Sequence, residues 1–374
     1  MRPSAAAPVP RPSGRGPNAM RLSSLLAALL LAACAKPLPE GLERVAAKDG
    51  QGFTYSSAAG MLAFVEGRFP SRTLLVVVDL ATGARRARRV TGWSLGGKTA
   101  LARDGRRVVV EAGKISAYAS RSEPVQRAFL LIDAESGAVL AEQPLGAAGV
   151  VAFAHPSWSA DPVVVWNDKG GPRWKAIGGE AGGQLPGPPA WSGILTDAGL
   201  LFAAEKKTTA PRLIAYDMRS GKQTGDWRSE LSVAPLAARA DGSVLAARWA
   251  AESGGFLLEA CDSENGRREA LLESEGEIES AVETHGALYA IAKDHSRKND
   301  SGKSFLAPRS LLVLERGGAR WSVPWTSHAG DFLGFDPERR RLWFAVTDRD
   351  KPGAWSIALN KEALSAAGPA IDAY

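Results

Sequence analysis

The sequence predicts an all-β chain built from about seven repeated four-stranded units, and three observations predict it. A strand-and-turn motif recurs along the chain, a second series of hairpins interleaves with it at the same period, and the composition favours turns. The 374 residues include 40 glycines, 23 prolines and 11 tryptophans, with 23% charged side chains. That mixture suits many short strands joined by tight turns better than a helical bundle.

The first series reads "LLVVVDLATG" ending at Gly83, "AFLLIDAESG" at Gly137, "RLIAYDMRSG" at Gly221 and "FLLEACDSENG" at Gly266. Each is an apolar strand followed by an Asp-initiated turn that ends in Gly. The Asp carboxylate can accept backbone N–H groups within the turn, and Gly supplies the positive φ that closes it. Asp79, Asp133, Asp217 and Asp262 are 54, 84 and 45 residues apart, so one copy between 133 and 217 has lost its turn. The degenerate copy uses "RWKAIGG" for its third strand. The second series, strand–turn–strand, runs from "FTYSSAAGMLAFV" to "LGFDPERRRLWFAV", with turns near 60, 105, 157, 199, 242, 286 and 338. The mean interval is about 46 residues, close to that of a four-stranded propeller blade.

These interleaved motifs resemble a β-propeller of WD40-like or quinoprotein-like type over residues 42 to 374. The spacing predicts one propeller of seven four-stranded blades, with six or eight inside its range. A row of sandwich domains is the competing architecture. The last copy stops at its third strand near Leu359, while "LERVAA" at 42–47 has no partner in the first copy. That pairing predicts that 42–47 supplies the outer strand of the seventh blade and leaves no open edge.

Residues 1–41 read differently. Met20-Arg21 opens a largely apolar run from Leu22 to Ala33, too short to span a bilayer. It ends in Leu31-Ala32-Ala33-Cys34, which resembles the lipobox of bacterial lipoproteins. The resemblance implies cleavage before Cys34, acylation of its thiol (palmitate among the chains) and of its new amino group, and a lipidated tether over 34–41. Residues 1–33 are then a signal peptide preceded by a disordered Pro-rich extension, or by residues upstream of a start at Met20. Ala35, where Asp would resemble an inner-membrane retention signal, favours the outer membrane. Cys261 is the only other cysteine, so an intrachain disulfide is not expected.

Net charge is +6, but residues 1–33 hold four arginines and no acid. The remainder carries 42 basic against 40 acidic side chains, too balanced for a nucleic-acid-binding domain. Catalytic motifs are equally scarce. His155, His285, His295 and His328 fall in different copies, with no HxH, HExxH or CxxC spacing, so no metal site or cofactor is expected. "NDSGKS" at 299–304 lacks the first glycine of a phosphate loop, since position 297 is Arg297. Acidic pairs such as Asp348 and Asp350 sit where turns call for Asp anyway.

Charge sorting is the feature that goes beyond a scaffold. In a propeller, the loops joining second and third strands emerge on one face. Here they hold 15 Lys and Arg against 8 Asp and Glu, so the rest of the chain after Ala33 sums to about −5. Arg68, Arg72, Arg121, Lys206, Lys207, Arg297 and Lys298 are the candidate partner-binding residues. The expectation is a monomeric lipid-anchored envelope propeller that binds or scaffolds an envelope protein or an anionic polymer. A lipid-anchored propeller resembles the barrel-assembly lipoproteins in fold and address. The alternative is a propeller enzyme of lactonase, lyase or hydrolase type with a site in the central channel.

Overall fold

The turn between third and fourth strands sets the repeating unit. In the computed structural model, Asp79 Oδ1 accepts the N–H groups of Ala81 (2.9 Å) and Thr82 (3.1 Å), and Gly83 turns the chain at φ +70°. Asp133, Asp217 and Asp262 repeat the arrangement with Ser136, Ser220 and Asn265. Hydrogen bonds from the Thr82 backbone, the Ser136 hydroxyl and the Ser220 hydroxyl hold Asp79, Asp133 and Asp217 below the usual carboxylate range. The structure describes residues 38, 40–67, 73–114, 126–145, 149–205, 210–294, 307–328, 330–346 and 352–373.

Strand β1 (Leu42–Ala46) comes first. Sheet one then takes β2 (Gln51–Ser56), β3 (Met61–Glu66), β4 (Leu74–Asp79) and β5 (Arg85–Arg88). Sheet two takes β6 (Ser94–Leu101), β7 (Arg107–Lys114), β8 (Gln126–Asp133) and β9 (Val139–Pro144). Sheet three follows with β10 (Val150–Ala154), β11 (Val163–Asp168), β12 (Gly171–Ala176) and β13 (Gly182–Gln184). Sheet four is β14 (Ala190–Leu195), β15 (Leu200–Glu205), β16 (Arg212–Asp217) and β17 (Gln223–Arg228). Sheet five is β18 (Val233–Ala238), β19 (Val244–Ala250), β20 (Gly255–Cys261) and β21 (Arg268–Ser274). Sheet six is β22 (Glu277–Thr284), β23 (Ala287–Lys293), β24 (Arg309–Glu315) and β25 (Arg320–Trp325). Sheet seven is β26 (Gly330–Asp336), β27 (Arg341–Val346) and β28 (Gly353–Ala358), completed by β1.

The chain is a seven-bladed β-propeller. The first strands of consecutive sheets touch around the ring, and β26 meets β2. Second and third strands are buried on both faces, as "MLAFVE", "LLVVVD", "LLFAAE" and "RLIAYD" show. The core is accordingly a series of apolar layers between sheets. One layer joins Ala63 and Val77 of sheet one to Val108 and Leu130 of sheet two, and another joins Phe64 and Val76 to Trp343 of sheet seven. Cys261 lies in such a layer, and burial pushes its thiol up to about 12.

Inner strands approach closely. Gly52 adopts φ +61°, and a Cβ there would stand 2.5 Å from the Gly97 carbonyl oxygen. The Gly52 carbonyl in turn accepts the Thr99 hydroxyl. Glycine is required at that crossing for both reasons.

Closure follows the sequence expectation. β1 pairs antiparallel with β28, from Leu42 opposite Ile357 to Ala46 opposite Gly353. An element the strand repeat did not anticipate is helix α1 (Lys361–Ala373). Asn360 caps it by accepting the Ala363 N–H at 2.8 Å. Its Leu364, Ala367 and Ile371 are buried, and it packs on β25 and β28. Gly368 permits that packing, because a Cβ there would meet the Pro324 carbonyl at 2.6 Å. Among the described residues no helix is long and apolar enough to cross a membrane.

Candidate functional site

Antiparallel alternation sorts the connections between two faces. Turns joining first to second and third to fourth strands lie on a tight-turn face. Second-to-third loops and the links between sheets lie on the opposite, loop face. The chain enters on the tight-turn face: the Gly41 carbonyl accepts the Ala358 N–H at 3.0 Å, and β28 ends at Ala358.

The tight-turn face is held together by charges. Arg103 reaches across sheet three to Asp197 with contacts of 2.6 and 2.7 Å, and its N–H donates to His155 Nδ1 at 2.6 Å. Asp197 also accepts the Ser157 N–H at 2.8 Å. Burial is the main cause lowering the His155 pKa, opposed by its contact with the Ala160 carbonyl. A depression of about 690 Å³ lies between the turns at 195–198 and 238–242. Its charged residues are already paired, Asp197 with Arg103 and Arg239 with Asp241 and Glu283.

The other histidines do not converge. His285 packs edge-on to Phe335 at 4.4 Å, whereas His328 lies 3.7 Å from Asp372 on α1. His295 lies outside the described residues. Among the described residues no group of three or more His, Cys, Asp or Glu is placed to hold a metal ion.

Of the residues singled out in the sequence, Cys34, Arg68, Arg72, Arg121, Lys206, Lys207, Arg297 and Lys298 all lie outside the described residues. What is described on the loop face is the root of each loop, where several basic side chains already have partners. Arg127 pairs with Glu111. Arg212 bridges Glu205 (2.8 Å) and Asp226 (3.1 Å). Arg309, only 4% exposed, is held by Glu279 at 2.7 Å. Lys114 stacks over Trp93 at 4.5 Å. These guanidinium and ammonium groups stiffen loop roots.

Two further features occupy this face, and the repeat pattern revealed neither. First, Glu279 on β22 and Asp331 on β26 stand at the loop-face end of neighbouring inner strands. Glu279 is bound by Arg309 and by Lys293 at 3.4 Å. Solvent reaches Asp331, yet protein surrounds most of it. Burial, followed by repulsion from Glu279, raises its pKa, and Arg309 opposes that rise. Second, Trp191 on β14 and Leu231 in the link to β18 expose 52% and 67% of their surface. On sheet five, Trp249 and Phe256 form an edge-to-face pair at 5.0 Å on the side that packs toward sheet six, and the Trp249 N–H donates to the Ser232 carbonyl at 3.3 Å.

No protein-family model matches the sequence, and no curated protein matches it. Solved structures do. A chain of the mitotic checkpoint complex superposes with a TM-score of 0.55 at 12% identity, over 96% of this chain and 99% of that one. An oligogalacturonate lyase in complex with manganese gives 0.45 at 11% identity, over 86% and 97%. A Pyrococcus horikoshii acylaminoacyl peptidase gives 0.49 at 15% identity, over 74% and 44%. The likeness is one of fold. Such folds host unrelated activities, so function is argued from this chain's own surface.

Proposed function

We propose that the protein is a lipid-anchored bacterial envelope propeller that binds a partner protein through its loop face. The observation that carries the reading is the sorting of the two faces. The second-to-third loops, which together hold 15 Lys and Arg against 8 Asp and Glu, join strand ends on the face opposite the one where the chain enters at Gly41. A rigid disc whose loop roots are fixed by ion pairs presents those loops at low conformational cost. The lipid on Cys34 supplies the address, with the outer membrane favoured by Ala35. Two measurements test this. Radiolabelled palmitate incorporates into the wild type and not into Cys34→Ala. Crosslinking in native membranes captures a stoichiometric envelope protein with the wild type and loses it with Cys34→Ala. Palmitate in both chains removes the anchor, and no captured protein removes the protein-binding role.

A second reading has its own observation. Glu279 and Asp331 are neighbouring carboxyl groups in different environments at the mouth of the channel, an arrangement suited to general acid–base chemistry. In that reading the protein is a propeller enzyme, and Asp331→Asn abolishes its turnover while leaving the fold intact. An activity unchanged in Asp331→Asn excludes this site.

A further inference from the structure

We propose that β5, the outer strand of sheet one, lays its arginines on the anionic headgroups of the membrane that holds the protein. This rests on the lipid-anchored reading above and adds the surface that orients the disc on the bilayer.

Charge sets β5 apart from the other outer strands. Arg85, Arg86, Arg88 and Arg89 fall within five consecutive residues at the rim, and Arg85, Arg86 and Arg89 are exposed. Elsewhere the rim is near neutral. β1, β13 and β17 have no net charge, β9 and β21 carry one net negative charge each, and β25 carries one positive charge. Charges on an edge strand discourage strand-to-strand aggregation. Edge protection alone does not account for four arginines, because the neighbouring edge β9 exposes Val139 and Leu140 instead.

Strand register spreads the cations over both sides of this edge. Val76 and Val78 face sheet seven, so Arg85, opposite Val78, leans that way, pairs with Glu66 and lies over the Phe64 ring at 5.5 Å. Leu75 and Val77 face sheet two, so Arg88 and Arg86 lean there, and Arg88 Nε donates to the Glu135 carbonyl at 2.7 Å. Among the described residues Arg86 and Arg89 have no ion-pair partner. Arg86 lies in the field of Asp79, whose carboxylate is already bound by its own turn. The flanking turns add Glu135 on one side and Glu338, Arg339 and Arg340 on the other, which leaves the edge basic.

The anchor brings this edge to the bilayer. Seven peptide steps separate Cys34 from Gly41 and span at most about 25 Å. Gly41 leads into β1, the outer strand of sheet seven, and sheet seven neighbours sheet one in the ring through β26 and β2. The Arg339 guanidinium ties the two sheets on the tight-turn face by donating to the Leu80 carbonyl at 2.8 Å. A lipid on Cys34 therefore holds the rim of sheets seven and one beside the headgroups. An anionic surface there strengthens attachment about fivefold for each arginine near it. The disc then stands on edge, with its loop face open to a partner.

The experiment reconstitutes the full lipidated chain into vesicles of phosphatidylcholine alone or mixed with phosphatidylglycerol. A donor fluorophore sits on Ala87→Cys in β5 or, as a control, on Glu269→Cys in β21 of sheet five, while the buried Cys261 stays unlabelled. Energy transfer to an acceptor on the lipid headgroups reads how near each position lies to the surface. The expected result is transfer from position 87 that rises at least about twofold when phosphatidylglycerol is present. Added salt and the variant Arg86→Gln/Arg89→Gln, whose folding is verified by circular dichroism melting, each abolish the rise. Position 269 shows none. Equal transfer from position 87 in the two lipid mixtures, a rise that survives Arg86→Gln/Arg89→Gln, or a rise at position 269 instead each overturn the proposal. Palmitate labelling separates the two readings. A labelled wild type without the rise leaves the anchor standing and removes this proposal alone, and an unlabelled wild type removes both.

Discussion

Arg341 Nη2 donates to the carbonyl oxygen of Gly41 at 2.7 Å, joining β27 to the residue that precedes β1 across 300 positions of sequence. The same guanidinium donates to the Ser356 hydroxyl at 2.8 Å and the Ser356 carbonyl at 3.0 Å, with Glu43 at 3.5 Å. Burial, with repulsion from Arg339, lowers the pKa of this Arg, and Glu43 and Asp336 oppose that fall and help hold the cation there. It is the polar latch of ring closure.

Removing the latch strands buried acceptors. Arg341→Met is expected to lower global stability by about 2–4 kcal/mol, read by urea unfolding, because the Gly41 and Ser356 oxygens lose a charged donor. By contrast, Arg103→Ala is expected to cost no more than about 1 kcal/mol. Its bridge to Asp197 joins side chains that are 47% and 63% exposed, where solvent screens the pair.

The crossing of inner strands offers a sharper backbone test. Gly52→Ala forces a side chain into the left-handed region and against the Gly97 carbonyl. The expected loss is at least about 3 kcal/mol, as the sum of conformational strain and a backbone clash. Gly60→Ala, also at positive φ but with open space around it, is expected to lose only about 1 kcal/mol.

His155 makes stability fall in mild acid. Its pKa in the folded chain lies below the ordinary value of 6.5, so the unfolded chain takes up the proton first. The stabilisation is complete above about pH 6.5 and declines as pH falls below it toward the folded value. A series of melting temperatures from neutral pH downward should show this decline in the wild type and a shallower one in His155→Asn.

Asp331 has the opposite sign. Its folded pKa lies above the ordinary 3.8, so the folded chain binds the proton more tightly than the unfolded one, and stability falls as pH rises through that interval. Asp331→Asn should therefore stabilise the protein at neutral pH and leave it unchanged in acid below about pH 3.8, as read by urea midpoints.

Much of the fold was legible because its signals are local. The Asp-initiated turns at 79, 133, 217 and 262 need only their own next four residues, and the unpaired "LERVAA" implied its partner strand. In sheet three the signal weakens: the turn after Ala176 uses Gly178 at φ +108°, packed close to Leu131 and Asp161, with no Asp to mark it. Helix α1 was missed because Gly368 and Pro369 interrupt its pattern, and the reason for Gly368 is contact with Pro324 on another element. Charge misled in one respect. Arg309 counts as loop charge in the sequence, yet its partner Glu279 lies thirty residues earlier and removes it from the surface. Likewise nothing local separates Trp191, half in water, from Trp343, fully buried. Exposure is decided by which sheet lies opposite.

A photo-crosslinker at one position per face tests most sharply which face binds the partner. p-Benzoylphenylalanine replaces Trp191 on the loop face in one strain and Ala240 on the tight-turn face in another, and both are illuminated in native membranes. Partner binding through the loop face gives a discrete envelope-protein adduct from position 191 and none from position 240. An adduct from position 240 alone, or the same adducts from both, would contradict it.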